Sequence, residues 1–295
     1  MSAASPRPAV RRLAALAWRR LWLGLAVFAV AAAALLWWRE ALLDPDRVAI
    51  EAERVRRLGL ATLGQPLPGT PDLANLPGRL AGQGFSLGAP VLIRIFKREF
   101  ELELWLRRGD RFHLFAVYPV CRWSGQLGPK LREGDAQAPE GFYTVDARAL
   151  NPASRWHRAF NLGFPNAFDR AHGRTGSFVM VHGGCASVGC FAMTDPVVDE
   201  IWRLVTAALK RGQKRFSVHV FPFRMSEEAL ARRSHHPAAA FWRDLKRGHD
   251  ALEETGLPPV IGVCAGRYRV TPASAPTDGS HEIANSCINL TSQKG

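Results

Sequence analysis

The longest uninterrupted apolar stretch in the chain lies near its N-terminus. Residues 21–38, LWLGLAVFAVAAAALLWW, contain no charged side chain and are bounded by Arg20 and Arg39. A helix rises about 1.5 Å per residue, so these 18 residues would span about 27 Å, enough for the hydrocarbon core of a bilayer. Tryptophans at both ends of the stretch are typical of the membrane interfaces. The pattern predicts a transmembrane helix over 21–38, preceded by a basic segment over 1–20.

Beyond this stretch the polarity pattern changes to short segments of helical and strand period. Residues 39–88 predict a juxtamembrane helix followed, from residue 61, by a linker rich in Gly and Pro. Residues 91–106 alternate apolar and charged side chains, which predicts a hairpin that turns near Lys97. Further segments predict strands at 112–120, 142–146, 177–182 and 216–222, and helices at 196–210 (with Asp195 placed to cap it) and 237–254. We therefore expect a β-rich α+β domain over 89–270, and a disordered tail over 271–295.

The charge distribution orients the apolar helix. The first 20 residues hold five arginines and no acidic residue, and positive charge beside a membrane span marks its cytoplasmic side. We therefore expect a single-pass membrane protein whose N-terminus is cytoplasmic and whose domain lies on the other side. A cleaved signal peptide is the alternative, because Ala31 to Ala34 offer small residues. The apolar run through Trp38 is long for a signal core and favours an uncleaved anchor.

Composition excludes several classes of protein. Apolar residues make up 47% and charged residues 22% of the 295-residue chain, which excludes a wholly disordered protein. The net charge is +13, but no Lys/Arg run interleaved with aromatics follows residue 60, so no nucleic-acid partner is expected. A basic surface is compatible with an anionic polymer such as a bacterial cell wall. Five cysteines are too few for a disulfide scaffold, and their odd number leaves at least one thiol free or paired outside the chain.

The segment 172–195, HGRTGSFVMVHGGCASVGCFAMTD, concentrates the residues that could carry chemistry. A strand-like run ends at His182 before a Gly-Gly turn, and Cys190 follows eight residues later, directly after Gly189. A free thiol has a pKa of about 8.5, so a nucleophilic cysteine needs a base, and a histidine across a tight turn can take its proton and later return it. Glycine beside the nucleophile lets backbone N–H groups point at a developing oxyanion.

This segment resembles a known catalytic signature. His182-Gly183 followed by Ser187-Val188-Gly189-Cys190 is similar to the His-Gly and Ser/Thr-x-Gly-Cys pattern of the L,D-transpeptidase (YkuD) catalytic domain. It is similar in particular to the short-loop, YafK-like branch of that family. Upstream, the segments 139–143, PEGFY, and 161–170, NLGFPNAFDR, resemble further parts of the family pattern. The resemblance covers about residues 90–270.

The resemblance implies a mixed β-sandwich with the nucleophile in a cleft, in a periplasmic domain held at the bacterial inner membrane. The cysteine of this family attacks the carbonyl of the diaminopimelate residue in peptidoglycan stem peptides and forms a thioester, which an amine or water then resolves. Carried over by position, Cys190 is the nucleophile and His182 the general base and acid. The backbone N–H groups of Gly189 and Cys190 would form the oxyanion hole. No metal or other cofactor is implied.

The chain departs from the larger family at positions that bear on the acceptor. Val188 stands where most members have a second histidine, and Ala192 stands where most have Arg or Asn. The loop from His182 to Cys190 is also shorter than usual. Transfer to an amine is the leading expectation, and hydrolytic release of protein or peptide from diaminopimelate is the alternative. A third hypothesis is non-catalytic, either a wall-binding domain or a zinc module.

Four polar residues are candidates for substrate binding. His172 and Arg174 could bind a substrate carboxylate, since arginine pairs with carboxylates through two hydrogen bonds, or could only cap backbone groups of a loop. His182 is preferred to His172 as the base because it follows a strand. Ser187, within the signature, and Asn161, in the branch-specific segment, are further candidates for substrate contact.

The remaining cysteines leave alternatives open. Cys185 is a small buried residue, a disulfide partner of Cys190, or a zinc ligand together with His182 and Cys190. Cys121, at the end of a predicted strand, is interpreted as structural. Residues 286–289, SCIN, resemble the end of the family's cysteine motif but lack the preceding glycine and strand, so we treat the match as chance.

Overall fold

The computed structural model describes residues 8–43 and 45–287. Two compact units divide the chain, one ending at Glu51 and the other beginning at Ala52. The helices are α1 (Pro8–Leu43), α2 (Pro45–Thr62), α3 (Leu76–Gly82), α4 (Ala167–Ala171), α5 (Asp195–Lys210), α6 (Glu227–Ala231) and α7 (Ala239–Thr255). The strands are β1 (Val91–Phe96), β2 (Glu101–Arg108), β3 (Arg111–Pro119), β4 (Arg122–Trp123), β5 (Gly141–Asp146), β6 (Leu150–Ser154), β7 (His157–Asn161), β8 (Met180–His182), β9 (Phe191–Ala192), β10 (Arg215–Phe221), β11 (Val260–Cys264), β12 (Arg267–Thr271) and β13 (Ala284–Asn285).

The apolar N-terminal stretch lies within the long helix α1. Its segment Trp18–Leu35 is 18 residues long, has a mean hydropathy of 1.4, and has none of its length buried. Length and composition are therefore sufficient for a membrane span, and a signal sequence near an N-terminus meets the same criteria. The anchor over 21–38 thus stays a prediction. Residues 1–7 of the predicted basic segment lie outside the described residues.

The expectation of a linker over 61–88 is corrected by the structure. This segment contains a 3₁₀ turn and helix α3, and it belongs to the second compact unit. Four apolar side chains in it are 1–7% exposed: Leu67, Leu76, Leu80 and Phe85. The glycines and prolines mark turns between short packed pieces, and the apolar residues between those turns bury enough surface to hold the segment in place.

The longer of the two five-stranded sheets, named sheet I, has the order β3-β2-β1-β10-β5. The predicted hairpin over 91–106 is confirmed, because β1 and β2 pair antiparallel from Val91 opposite Leu106 to Phe96 opposite Glu101. Strand β1 is buried along its whole length, as expected for a strand with neighbours on both sides, and it pairs parallel with β10. Two charged residues in this buried hairpin, Arg94 and Glu103, neutralise each other at 2.7 Å.

The second five-stranded sheet, named sheet II, has the order β4-β9-β8-β7-β6. Its strands are short, from two residues in β4 and β9 to five in β6 and β7. Strand β8 begins at Met180 rather than at residue 177, because Phe178 has φ +52° and therefore cannot continue an extended strand. The predictions missed β4 and β9, which are too short to show a hydrophobic period, and they also missed the five-residue strands β6 and β7.

A three-stranded sheet with the order β12-β11-β13 is formed by the last three strands of the second unit. Its strand β13 belongs to the segment expected to be disordered, and this expectation is corrected for residues 271–287. Cys287 forms a disulfide with Cys264, and the register pairs Gly262 with Ala284. A covalent cross-link and a strand pairing together compensate for the low hydrophobicity of this segment. The sheet-rich mixture of strands and helices confirms the predicted fold class.

Candidate active site

His182 ends β8 and Cys190 directly precedes β9, and these two strands pair in parallel in sheet II. Val181 pairs with Phe191, and His182 pairs with Ala192, so one step back along both strands Cys190 lies opposite Met180. Val181 and Phe191 are fully buried in the core. Because successive side chains of a strand point to opposite faces, the alternation assigns His182 and Cys190, the residue before β9, to the same face of the pair, opposite to Val181 and Phe191.

The imidazole of His182 is held in one tautomer. Its Nδ1 lies 2.5 Å from the carbonyl oxygen of Gly183, and a carbonyl only accepts, so Nδ1–H must be the donor. The Nε2 lone pair is then free to take a proton. The side chain is 4% exposed, the ring centroid of Trp156 lies 6.1 Å away, and burial lowers the pKa of His182. His182 is therefore a neutral base at neutral pH.

Cys190 is the free cysteine of the described residues. Its Sγ accepts the Met180 N–H at 3.5 Å, and its thiol donates to the carbonyl of Phe178 at 3.7 Å. Burial raises the pKa of Cys190, and the Met180 N–H and the positive charge of Lys130 partly oppose that effect. Thiol and imidazole are thus both neutral in the resting site, and a thiolate forms only when a proton is transferred.

Two serines fix the turn before the cysteine. The Ser187 hydroxyl donates to the Cys190 carbonyl at 2.7 Å, and Ser124 Oγ lies 3.2 Å from Ser187 Oγ. The N–H of Gly189 donates to Ser124 Oγ, so the donor expected in the oxyanion hole is occupied here by a side chain. Gly189 has φ +104°, which only glycine adopts easily. No sequence pattern indicates Ser124, because it comes from a loop 63 residues before Ser187.

The loop over 124–140, named the Ser124 loop, is anchored by a buried ion pair that sequence reasoning missed. The Lys97 ammonium is fully buried and donates to Glu140 at 2.9 Å. It also donates to three backbone carbonyls at 2.8–3.0 Å: Gln126, Gly128 and Ala138. The second oxygen of Glu140 accepts the Trp242 indole N–H at 2.7 Å. Lys97, at the end of β1, therefore fixes the loop that carries Ser124.

Lys130 brings a positive charge to the same region. It lies on the Ser124 loop, is 5% exposed, and pairs with Asp135. Its side chain passes beside Gly176, where an added Cβ would lie 3.0 Å from Lys130 Cε. Gly176 comes two residues before Phe178, whose carbonyl accepts the Cys190 thiol, so Lys130 supports the segment that covers Cys190. A single lysine in a polar loop carries no pattern that could have indicated this.

Cys185 has a partner that none of its three hypotheses named. Cys185 forms a disulfide with Cys121, across 64 residues of sequence, and is 9% exposed. It is therefore buried, as the first hypothesis held, but it is neither a disulfide partner of Cys190 nor an available zinc ligand. Cys121 is structural, as interpreted. Among residues 8–43 and 45–287, no group of three or more His, Cys, Asp or Glu side chains is arranged to hold a metal.

His172 and Arg174 are held by their own neighbours at the end of α4. His172 Nδ1–H donates to the Phe168 carbonyl at 2.9 Å, and its ring stacks on Phe168 with centroids 4.2 Å apart. Arg174 is 9% exposed and pairs with the buried Asp169 at 2.8 Å. The charge of Arg174 is thus already balanced by a buried carboxylate. His172 caps a backbone carbonyl, as the alternative held, whereas Arg174 pairs with a side chain.

Asn161 lies at the other end of the same row of sheet II. It pairs with Met180 in the antiparallel β7–β8 register, and Met180 in turn lies opposite Cys190. Its side-chain oxygen accepts the Gly163 N–H at 3.0 Å. Asn161 also lines a cavity of about 310 Å³.

The predicted N-terminal cap of α5 differs from the one in the structure, because the Asp195 carboxylate accepts the Gly184 N–H beside His182 instead.

Comparisons with known proteins identify the family of this chain. A family profile described as the L,D-transpeptidase catalytic domain matches residues 92–220. YafK of Escherichia coli (strain K12), a protein assigned provisionally as an L,D-transpeptidase, is 46% identical over 197 residues, covering 67% of this chain and 78% of its own length. The YafK protein of Escherichia coli O157:H7 matches to the same extent.

Two solved structures match at lower similarity. The helical cell shape determining protein Pgp2 from Campylobacter jejuni is 18% identical with a TM-score of 0.38, over 61% of this chain, and the chain spans 65% of Pgp2. Bd1075 from Bdellovibrio bacteriovorus is 20% identical with a TM-score of 0.33, over 56% of this chain and 57% of its own. The identity to YafK and the profile match establish the family: this chain belongs to the L,D-transpeptidase (YkuD) catalytic-domain family.

Proposed function

We propose that this protein is an enzyme of peptidoglycan metabolism in which Cys190 forms a thioester with a stem peptide and His182 transfers the protons. The observation that carries the proposal is the placement of both side chains on one face of the β8–β9 pair. It is supported by the Nδ1–H bond to Gly183, which leaves Nε2 of His182 as the proton acceptor.

The proposed reaction proceeds in two halves. His182 Nε2 takes the thiol proton of Cys190, and Sγ attacks the carbonyl carbon of the diaminopimelate residue. The tetrahedral intermediate collapses when His182 returns the proton to the leaving amine, which leaves an acyl-thioester on Cys190. In the second half His182 deprotonates an amine or a water molecule, which attacks the thioester and restores the thiol.

The electrostatics of the resting site fit a general base rather than a preformed ion pair. Burial raises the pKa of Cys190 and lowers that of His182, so the neutral pair is favoured until a substrate is present. We propose the Cys190 N–H as one oxyanion donor. The Gly189 N–H would be the second, after it exchanges Ser124 Oγ for the negatively charged oxygen.

We further propose that α1 is an inner-membrane anchor with a cytoplasmic N-terminus and that the catalytic unit is periplasmic. The N-terminal arginines support this orientation. The two disulfides support it independently, because such bonds form in oxidising compartments and are rare in the cytosol. Peptidoglycan is then the accessible polymer.

The test is product analysis with the full chain purified in detergent. It would be incubated with muropeptides that carry tetrapeptide stems, and with sacculi that bear covalently attached protein, followed by mass spectrometry. We expect a thioester adduct on Cys190, and Cys190→Ala should lose turnover by a factor on the order of 10⁶, as when a nucleophile is removed from a catalytic triad. Cross-linked or exchanged products would identify an amine acceptor, and released peptide or protein with a free carboxylate would identify water.

Two variants make the result interpretable. His182→Gln should lose turnover while its Cys190 still reacts slowly with iodoacetamide, since the thiol remains but its base is gone. Arg232→Gln should change neither, because Arg232 is an exposed residue that pairs with Glu228 on α6. Turnover that persists in a folded Cys190→Ala protein would contradict the proposal.

A further inference from the structure

A polar cavity lies beside the proposed site and has no role in the reaction described so far. Its volume is about 310 Å³, and it lies between strands β5 and β10, the segment that follows β7, and the disulfide-bonded tail. Charged side chains line much of it: Asp146, Arg148, Arg170, Arg215 and Glu282. We name it the arginine cavity.

The arginine cavity carries an excess of positive charge. Arg148 pairs with Asp146 at 2.9 Å, and Arg215 pairs with Glu282 at 3.4 Å. Arg170 donates to the Pro165 carbonyl at 2.5 Å and has no carboxylate partner among the described residues. A carbonyl occupies one donor and leaves the charge of Arg170 uncompensated. The cavity is therefore suited to an anion, and a guanidinium fork matches a carboxylate in particular.

The cavity is connected to Cys190 by the register of sheet II. Asn161 on its wall, Met180 and Cys190 lie in one row across β7, β8 and the start of β9. Adjacent strands are about 4.8 Å apart, so Asn161 lies about 10 Å from Cys190. All three share the face opposite to Phe160, Val181 and Phe191, which are fully buried. A ligand could thus reach the cavity and the thiol along one face.

The free carboxylates of a stem peptide lie at about the same distance from the attacked carbonyl as the Asn161 wall of the arginine cavity lies from Cys190. In a stem with γ-linked D-glutamate before diaminopimelate, the free α-carboxylate of the glutamate lies about 9 Å from the carbonyl that the thiol attacks, given ordinary bond lengths. The side-chain carboxylate of diaminopimelate lies about 7 Å from the same carbonyl. Arg174 is less suited to this role because Asp169 already balances its charge.

We infer that the arginine cavity is the subsite that binds a free carboxylate of the donor stem, with Arg170 as its principal contact. This inference rests on the proposed function for the identity of the ligand. It assigns Asn161 and the tail residue Glu282 to the wall of the subsite, and it gives the disulfide-bonded tail a part in substrate recognition. Specificity for acidic over amidated stems would follow directly.

Binding to the full-length Cys190→Ala protein in detergent tests the inference without turnover. The probes are the tetrapeptide L-Ala-γ-D-Glu-diaminopimelate-D-Ala, the same peptide with the glutamate α-carboxylate as carboxamide, and one with the diaminopimelate side-chain carboxylate as carboxamide. Calorimetry should show that Arg170→Gln weakens binding of the acidic peptide by about tenfold to a hundredfold, the range for a charge-assisted hydrogen bond. One of the two amidated peptides should already bind weakly and should lose nothing further, which identifies the carboxylate bound.

The controls separate charge from folding. Arg170 is exposed, so its variants should unfold at the parent temperature, and Arg170→Lys should bind with intermediate affinity because it keeps charge but not the fork. Arg232→Gln should bind like the parent. Equal binding of the acidic peptide to Arg170→Gln and Arg232→Gln, or equal binding of acidic and amidated peptides to the parent, would overturn the inference.

This readout is separate from that of the proposed function. Arginine-dependent binding in a protein whose wild type forms no thioester would keep the subsite and reject the reaction. Thioester formation with binding that ignores Arg170 would keep the reaction and reject the subsite. Absence of any stem-peptide binding would overturn the subsite itself.

Discussion

Sheets I and II each have five strands, but they are built differently. The strands of sheet I run from six to nine residues and include β1, which is buried along its whole length. The strands of sheet II run from two to five residues, and Cys190 lies just outside one of them. The residues proposed to carry the chemistry thus lie in or beside the sheet that has fewer backbone pairings of its own.

Contacts from outside sheet II compensate for its short strands and few backbone pairings. The Cys121–Cys185 disulfide ties the turn after His182 to the end of β3, and the Lys97–Glu140 pair fixes the Ser124 loop. A short-stranded sheet can place Cys190 next to irregular backbone such as Phe178, which long regular strands would exclude. We therefore expect contacts within sheet I to affect mainly the free energy of unfolding, and contacts that hold sheet II to affect also the rate of the proposed reaction. Variants of single contacts test this expectation.

The largest expected effect comes from Lys97→Met. Removing one partner of a buried ion pair costs about 3–5 kcal/mol of unfolding free energy, because Glu140 and the carbonyls around it lose their donor. The Ser124 loop should also shift, and a misplacement of about 1 Å at a reactive site can lower kcat by about 100-fold. Urea denaturation and thioester formation measure the two effects.

Arg94→Met is the matched control for Lys97→Met. It removes Arg94 from Glu103 inside sheet I and should also lower the unfolding free energy, though by less than Lys97→Met, because Glu103 keeps its ion pair with Arg224. It touches no residue of the Ser124 loop, so folded protein should retain its rate of thioester formation. An equal loss of the rate of thioester formation in both variants would show that this rate does not depend specifically on the Lys97–Glu140 pair.

Removal of each disulfide gives the second comparison. The chain-entropy relation gives about 4 kcal/mol for the 64-residue separation of Cys121 and Cys185 and about 3 kcal/mol for the 23-residue separation of Cys264 and Cys287. We expect Cys121→Ser with Cys185→Ser to lower kcat, since the turn after His182 is released. Thermal unfolding and steady-state kinetics of both double variants would measure this.

The second disulfide should affect binding instead of chemistry. Cys264→Ser with Cys287→Ser frees the tail that carries Glu282, so KM should rise while kcat stays within about twofold, because only uniform binding is lost. A loss of kcat that is equal in both double variants would remove the distinction between a disulfide at the site and a disulfide at the tail.

Sequence patterns were informative where an element was long enough to show a period. The hairpin over 91–106 and helix α5 were accessible in this way, and the roles of His182 and Cys190 stay predictions from their motif. The partners of Lys97, Ser124 and Cys185 were not, because each lies tens of residues away and only the fold determines the neighbour. The Gly- and Pro-rich composition of 61–88 and of the tail suggested loose chain, whereas buried leucines and a disulfide determine their order.

A smaller effect is expected at the turn after His182. Gly184 has φ +83°, and an added Cβ would lie 2.9 Å from Trp156 Cε3, so Gly184→Ala should cost about 1–2 kcal/mol for the backbone and about 1–3 kcal/mol for the clash. Gly64→Ala is the control, since φ is +68° and nothing lies within 4 Å of the added Cβ. The difference in unfolding free energy isolates the contact with Trp156. No difference would show that Trp156 moves aside freely.

The smallest effect concerns the pKa of Cys190. The positive charge of Lys130 holds this pKa below the value that burial alone would give, so Lys130→Met should raise it further. The rate of alkylation by iodoacetamide rises with pH as the thiolate forms, and its midpoint should therefore move to higher pH in Lys130→Met and return towards the parent value in Lys130→Arg. The pKa of His182 has no contribution from Lys130, so the acid limb of kcat/KM should stay in place. Movement of both limbs would mean that Lys130→Met displaces the whole Ser124 loop, and the charge would then act on sheet II through structure instead of through its field at the thiol.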